Sequence, residues 1–211
     1  MNADPSPQVP NHPVTAALRA VHSALGSSEA VWETEHDPHW ASPCERGQPY
    51  QDADGGWRTR WQPVSRLSPR GELPGDFQGL ANALETPILE DLCAYYSSFW
   101  SAGLDLVAPD GPVSLLQLWN LQDVDRLIEN LIGHVLGQRR ARAPLTLFFA
   151  CTEADSDLIL SLDNATGAVL LERPGQTPLR TVAPSLAQFL RTLQPMQDPA
   201  PNAPDPGKPL A

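Results

Sequence analysis

Residues 114–151 read SLLQLWNLQDVDRLIENLIGHVLGQRRARAPLTLFFAC, and they leave the chain little conformational choice. A short apolar strand over 114–119 is stopped by Asn120, a good helix N-cap, with Asp123 in the first turn beyond it. From Leu121 onward Val124, Leu127, Ile128, Leu131, Ile132, Val135 and Leu136 recur at three- and four-residue steps, which winds them into one apolar stripe. Arg139, Arg140 and Arg142 fill the last turn, where cations oppose the negative end of the helix dipole, and Pro144 forbids continuation. The segment 145–151, LTLFFAC, is then apolar at nearly every position, as expected of a central strand covered on both faces. Asp123, Asn130, His134 and Gln138 share one border of the helix stripe, which places polar groups where core meets surface. The simplest reading of His134 there is a hydrogen-bonded boundary residue, with chemistry as the alternative.

The remaining elements follow in order. Pro13 opens a helix over 13–25 with a narrow stripe of Val14, Leu18, Val21 and Leu25, leaving His12 and His22 at the surface. Residues 29–54 carry seven acids against the single Arg46 and read as a solvated loop, with Trp32 and Trp40 pinning it to the body. Trp57, Thr59 and Trp61 alternate with Arg58 and Arg60 as a strand whose basic face offsets part of that acidity. Helices are expected over 77–84 and 87–100, the second capped by Thr86 with Pro87 at its first position and burying Ile88, Leu92, Tyr95, Tyr96 and Phe99. Hairpins over 104–119 and 158–172, a short strand over 179–183 and a helix over 184–193 complete the pattern. The order implies an α+β domain, a mainly antiparallel sheet flanked by helices.

Composition narrows the function. A net charge of -11 disfavours nucleic acid and anionic lipid, both of which need basic surface, and favours basic partners; solubility alone is the competing explanation. Of the 14 basic residues only Lys208 is a lysine. Three unpaired cysteines, Cys44, Cys93 and Cys151, fit a reducing compartment. With no apolar leader and no run approaching a membrane span, export and direct membrane insertion are not expected. Proline gathers at both ends, so residues 1–12 and 196–211 are expected to be disordered tails around a folded body at 13–195. No nucleotide-binding, hydrolase or zinc-protease motif is present. Glu35, His36, His39 and Cys44 fit no closed zinc pattern, and a His134–Cys151 dyad would need a thiol that its strand position predicts to be buried. Neither a cofactor nor catalysis is expected.

The LLQxW strand, the ENLIGH helix core, the Q-R-R helix end and the P-x-TLF strand closely resemble the Syd family of bacterial SecY-interacting proteins, with a weaker likeness over 17–195 that includes Ser42–Pro43–Cys44, Trp61–Gln62–Pro63 and LAQFLRTLQP. What the resemblance implies is a SUKH-like single domain and a cytoplasmic protein, peripheral on the inner membrane through SecY. It would bind the basic cytoplasmic loops of the channel through a concave acidic surface and hold or inhibit improperly assembled SecY. Candidate contact residues are Glu33, Glu35, Asp123, Asp125, Glu153, Asp155 and Asp157, while Glu129 and His134 match the motif and can serve the fold instead. The alternative is a SUKH-type immunity protein neutralising a basic toxin such as a nuclease.

Overall fold

The computed structural model describes residues 12–26, 31–69, 71–153 and 156–196. Both expected tails, and Asp155, lie outside the described residues apart from His12 and Met196. In chain order the elements are α1 (Pro13–Leu25), β1 (Trp32–Glu35), β2 (Glu45–Gln51), β3 (Trp57–Trp61), β4 (Val64–Ser65), α2 (Gln78–Leu84), α3 (Glu90–Ser97), β5 (Phe99–Trp100), β6 (Leu104–Ala108) and β7 (Gly111–Leu115). They continue with α4 (Leu121–Ala141), β8 (Thr146–Cys151), β9 (Ile159–Asp163), β10 (Val169–Glu172), β11 (Arg180–Ala183), α5 (Leu186–Thr192) and β12 (Gln194–Pro195).

Seven strands form one antiparallel sheet in the order β11-β10-β9-β8-β7-β6-β12. The apolar run at 146–151 takes the middle place, as its continuous hydrophobicity requires. Consecutive side chains of β8 point to opposite faces. Phe148 meets the His134 ring of α4 edge-on, at 5.4 Å between centroids, and Phe149 meets Tyr95 of α3 and Phe189 of α5 at 5.4 and 5.7 Å. The buried tyrosine hydroxyls are satisfied on the strand itself, Tyr95 donating to the Phe149 carbonyl and Tyr96 to that of Phe148.

The central helix starts where its cap predicts. Asn120 Oδ1 accepts the Asp123 N–H at 3.1 Å, and the Asp123 carboxylate in return accepts the Trp119 N–H at 2.9 Å. Val124, Leu127, Leu131 and Val135 are buried, whereas Ile128 and Ile132 are half-buried and Leu136 is exposed, so the apolar stripe is narrower than its spacing suggests. Arg142 ends the helix with φ 55°, a left-handed conformation that costs a non-glycine residue about 1 kcal/mol.

Several sequence expectations give way to tertiary contacts. Residues 29–54 are not a loop throughout: β1 and β2 flank β3 in a separate three-stranded antiparallel sheet. Its register sets Glu33 opposite Arg60 and Glu35 opposite Arg58, so the acids supply a strand partner for the basic face of β3. Trp61 packs against the tilted ring of Trp32 at 5.0 Å and edge-on against Trp119 at 5.8 Å, which fastens this sheet to the start of α4. The second helix of the 77–100 region begins at Glu90 rather than Pro87, and Thr86 is not its cap. Asn164, in the β9–β10 turn, accepts the Leu89 N–H and donates to the Pro87 carbonyl, both at 2.9 Å, holding that segment out of the helix. Phe99–Trp100 then pairs with β4. The strand expected to reach residue 119 ends at Leu115. His12 is half-buried: it caps α1 through a hydrogen bond from the Val14 N–H and lies 3.4 Å from Asp91. His22 is buried against the Phe99 ring, with both ring nitrogens unpartnered among the described residues, and burial lowers its pKa from 6.5 to about 4.

Candidate functional site

Two regions hold the chemistry worth weighing: a buried polar cluster under α4, and the exposed acids around the sheet's periphery. The cluster grows from the polar row of α4. His134 Nε2 lies 3.2 Å from Glu172 Oε1, and their side chains are 5% and 1% exposed. The hydroxyls of Thr146 and Ser161 each donate to the same carboxylate oxygen at 2.7 Å. Gln138 accepts the Thr146 backbone N–H at 3.1 Å, and its amide nitrogen contacts the Thr146 hydroxyl and His134. Helix α4 and strands β8, β9 and β10 thus meet at one oxygen. The other oxygen of Glu172 is buried without a hydrogen-bond partner among the described residues. His134 is therefore a hydrogen-bonded residue, as the simplest reading expects, half-buried overall with its side chain 5% exposed.

Within this cluster His134 faces Glu172, not Cys151. Cys151 is half-buried rather than buried, and desolvation raises its thiol pKa. Burial, with a smaller contribution from Glu90, pushes the Cys93 thiol up to about 11. Among the described residues no group of three or more His, Cys, Asp or Glu side chains is placed to hold a metal ion.

Of the seven acids chosen from the sequence, the six that are described fall into separate environments. Glu33 and Glu35 are exposed on β1, and Glu33 lies 3.6 Å from Arg60 Nε. Asp123 is half-buried and engaged as a helix cap, with Arg126 at 3.8 Å from its second oxygen. Asp125, two residues further, is exposed. At the β8–β9 turn Glu153 is exposed beside a cavity of about 200 Å³, and Asp157 pairs with Arg173 at 2.9 Å. Asp110, which the sequence reading passed over, lines the same cavity and pairs with Arg180 at 2.7 Å.

The first two groups are joined by the fold. The indole N–H of Trp119 donates to the Trp40 carbonyl at 3.0 Å, Asn120 donates to the Ala41 carbonyl at 3.1 Å, and the Arg126 guanidinium sits 4.9 Å from the Trp40 ring centre. These contacts seat the 36–45 segment on the start of α4 and bring Asp37 and Glu45 to the same end. Between segment and helix lies an open groove of about 530 Å³. No described contact ties the β8–β9 acids to this end. Lone surface carboxylates carry no sequence signal that ranks them, and the register of β1 on β3 was the missing information.

Fold and surface together define an acidic α+β protein built on one antiparallel seven-stranded sheet. The chain belongs to the Syd family: the family model described as "Syd protein (SUKH-2)" matches residues 17–195. "Protein Syd" of Pseudoalteromonas atlantica is 39% identical over 161 residues, which cover 76% of this chain and 82% of that protein. "Protein Syd" of Alteromonas mediterranea is 39% identical over 160 residues, 76% and 83% of the two chains. The namesake from Hahella chejuensis is 45% identical over 123 residues, 58% and 63% respectively. No helix among the described residues is long and apolar enough to cross a membrane.

Proposed function

We propose that this chain is a non-enzymatic regulatory protein that binds the basic cytoplasmic loops of the SecY channel, holding or inhibiting SecY that is improperly assembled. Membership of the Syd family over 17–195, in a chain of net charge -11, is the observation that carries the reading. On it, the protein is cytoplasmic and reaches the inner membrane only through its partner. Exposed carboxylates attract Arg- and Lys-rich loops over several ångströms and raise the encounter rate, after which short charge-assisted hydrogen bonds fix the pose. Glu33, Glu35 and Asp125 at one end, and Glu153, Asp155 and Asp157 at the β8–β9 turn, are the proposed contacts. Asp123 serves the same surface less directly, because its carboxylate already caps α4.

The test is retention of SecY from a bacterial membrane extract on the purified, immobilised protein at low salt. Recovery of SecY is expected. Its absence, with a basic nuclease recovered in its place, would move the assignment to the immunity reading.

A further inference from the structure

Asp110, in the turn that opens β7, and Arg180, at the start of β11, belong to distant parts of the large sheet, with β8, β9 and β10 between the two strands. In a flat sheet four spacings of about 4.8 Å, roughly 19 Å in all, would separate them. Arg180 Nη2 nevertheless donates to Asp110 Oδ2 at 2.7 Å. The sheet therefore curls, and the cavity of about 200 Å³ lies in the hollow of the curl. Val113, Leu160, Leu171, Val182 and, from α5, Phe189 give it apolar walls.

The charged groups lining this cavity are Asp110, Glu153 and Arg180. Asp110 and Arg180 answer each other, whereas Glu153 has no ion-pair partner among the described residues, so the lining keeps one negative charge. Asp157, on the same turn as Glu153, is already taken by Arg173 at 2.9 Å. Apolar walls below carboxylates suit a cation on a long apolar stem. The methylenes of an arginine pack on the walls while its weakly hydrated guanidinium reaches the carboxylates. Arg180 already presents such a group to Asp110. It is held loosely: the two side chains are 47% and 57% exposed, and a pair so open to water contributes little.

We propose that Arg180 is a built-in competitor at this cavity, holding Asp110 in the free protein until an arginine side chain of a bound basic polypeptide displaces it and lies between Asp110 and Glu153. This rests on the reading of the protein as a binder of basic loops. It adds that the protein's own cation holds the affinity down, so that only a guanidinium able to replace that of Arg180 gains the full contact.

The test titrates two lysine-flanked peptides, identical except for a central arginine or its uncharged isostere citrulline, against the full chain at low salt. Arg180→Ala is expected to tighten binding of the arginine peptide about threefold, the worth of an exposed pair, and to leave the citrulline peptide nearly unchanged. The gain should vanish when Asp110→Asn is combined with it. Arg140→Ala removes an equal charge from the last turn of α4, which abuts the start of β8 rather than the cavity at its end, and should give no such gain. An equal gain from Arg140→Ala, or one that persists beside Asp110→Asn, would mean that net charge acts at a distance and would overturn the competitor. Binding of both peptides that neither Arg180→Ala nor Asp110→Asn alters would also overturn it, with the basic-loop reading left standing. If neither peptide binds the unaltered protein, both readings fall.

Discussion

Replacing Glu172 with alanine tests how the centre of the molecule is held together. One oxygen of this carboxylate receives two hydroxyl donors at 2.7 Å and faces His134 at 3.2 Å, with both the Glu172 and His134 side chains 5% exposed or less. Truncation strands these groups away from water. Each stranded donor costs about 1–3 kcal/mol, and the terms overlap. We expect Glu172→Ala to remove about 4 kcal/mol, a large fraction of the roughly 5–15 kcal/mol that a domain possesses. In urea, followed by tryptophan fluorescence, that is a fall in midpoint of about 2 M at unchanged slope. Glu172→Gln keeps an acceptor for Thr146 and Ser161 and should lose about half as much. A loss below about 1 kcal/mol for the alanine variant would show that the cluster does not tie α4 to the sheet.

Other outcomes follow from the same contacts. Because burial holds His22 at about 4 against 6.5 when unfolded, stability is complete above pH 6.5 and falls as pH drops towards 4, where the unfolded chain binds a proton that the native state refuses. The full loss is about 3 kcal/mol, and His22→Phe should flatten urea midpoints over that window; an unchanged pH slope would refute it. Reversing Glu153 and Asp155 to lysine should weaken SecY binding while leaving the thermal midpoint within a few degrees. Unchanged affinity would remove the β8–β9 turn from the contact surface.

How much was readable in one dimension depended on where each element's partners lie. Helix α4 and strand β8 were legible because their caps, stripe and stop signals all fall within 38 consecutive residues. Strand β2 was not, because Gly47 and Pro49 interrupt its pattern and its register slips between Arg46 and Tyr50, so only pairing with β3 makes it a strand. The start of α3 was misplaced because the group that restrains Leu89 is Asn164, 75 residues away. His22 lay outside the aliphatic stripe and was read as exposed, although the Phe99 ring covers it. Glu172 gave no signal at all, since its partners are drawn from α4, β8 and β9 and meet only when the sheet is assembled. Among the candidate acids, Glu33, Glu35, Asp125, Glu153 and Asp157 are exposed and Asp123 is half-buried, and sequence did not say which of them face the same way.

Screening tests the central claim, that negative surface charge docks this protein on SecY, most directly. The dissociation constant for detergent-solubilised SecY is measured as ionic strength is raised from low to physiological values, where charges more than about 8 Å apart no longer attract. The account predicts affinity that weakens steeply over this range. Affinity that stays level would contradict it.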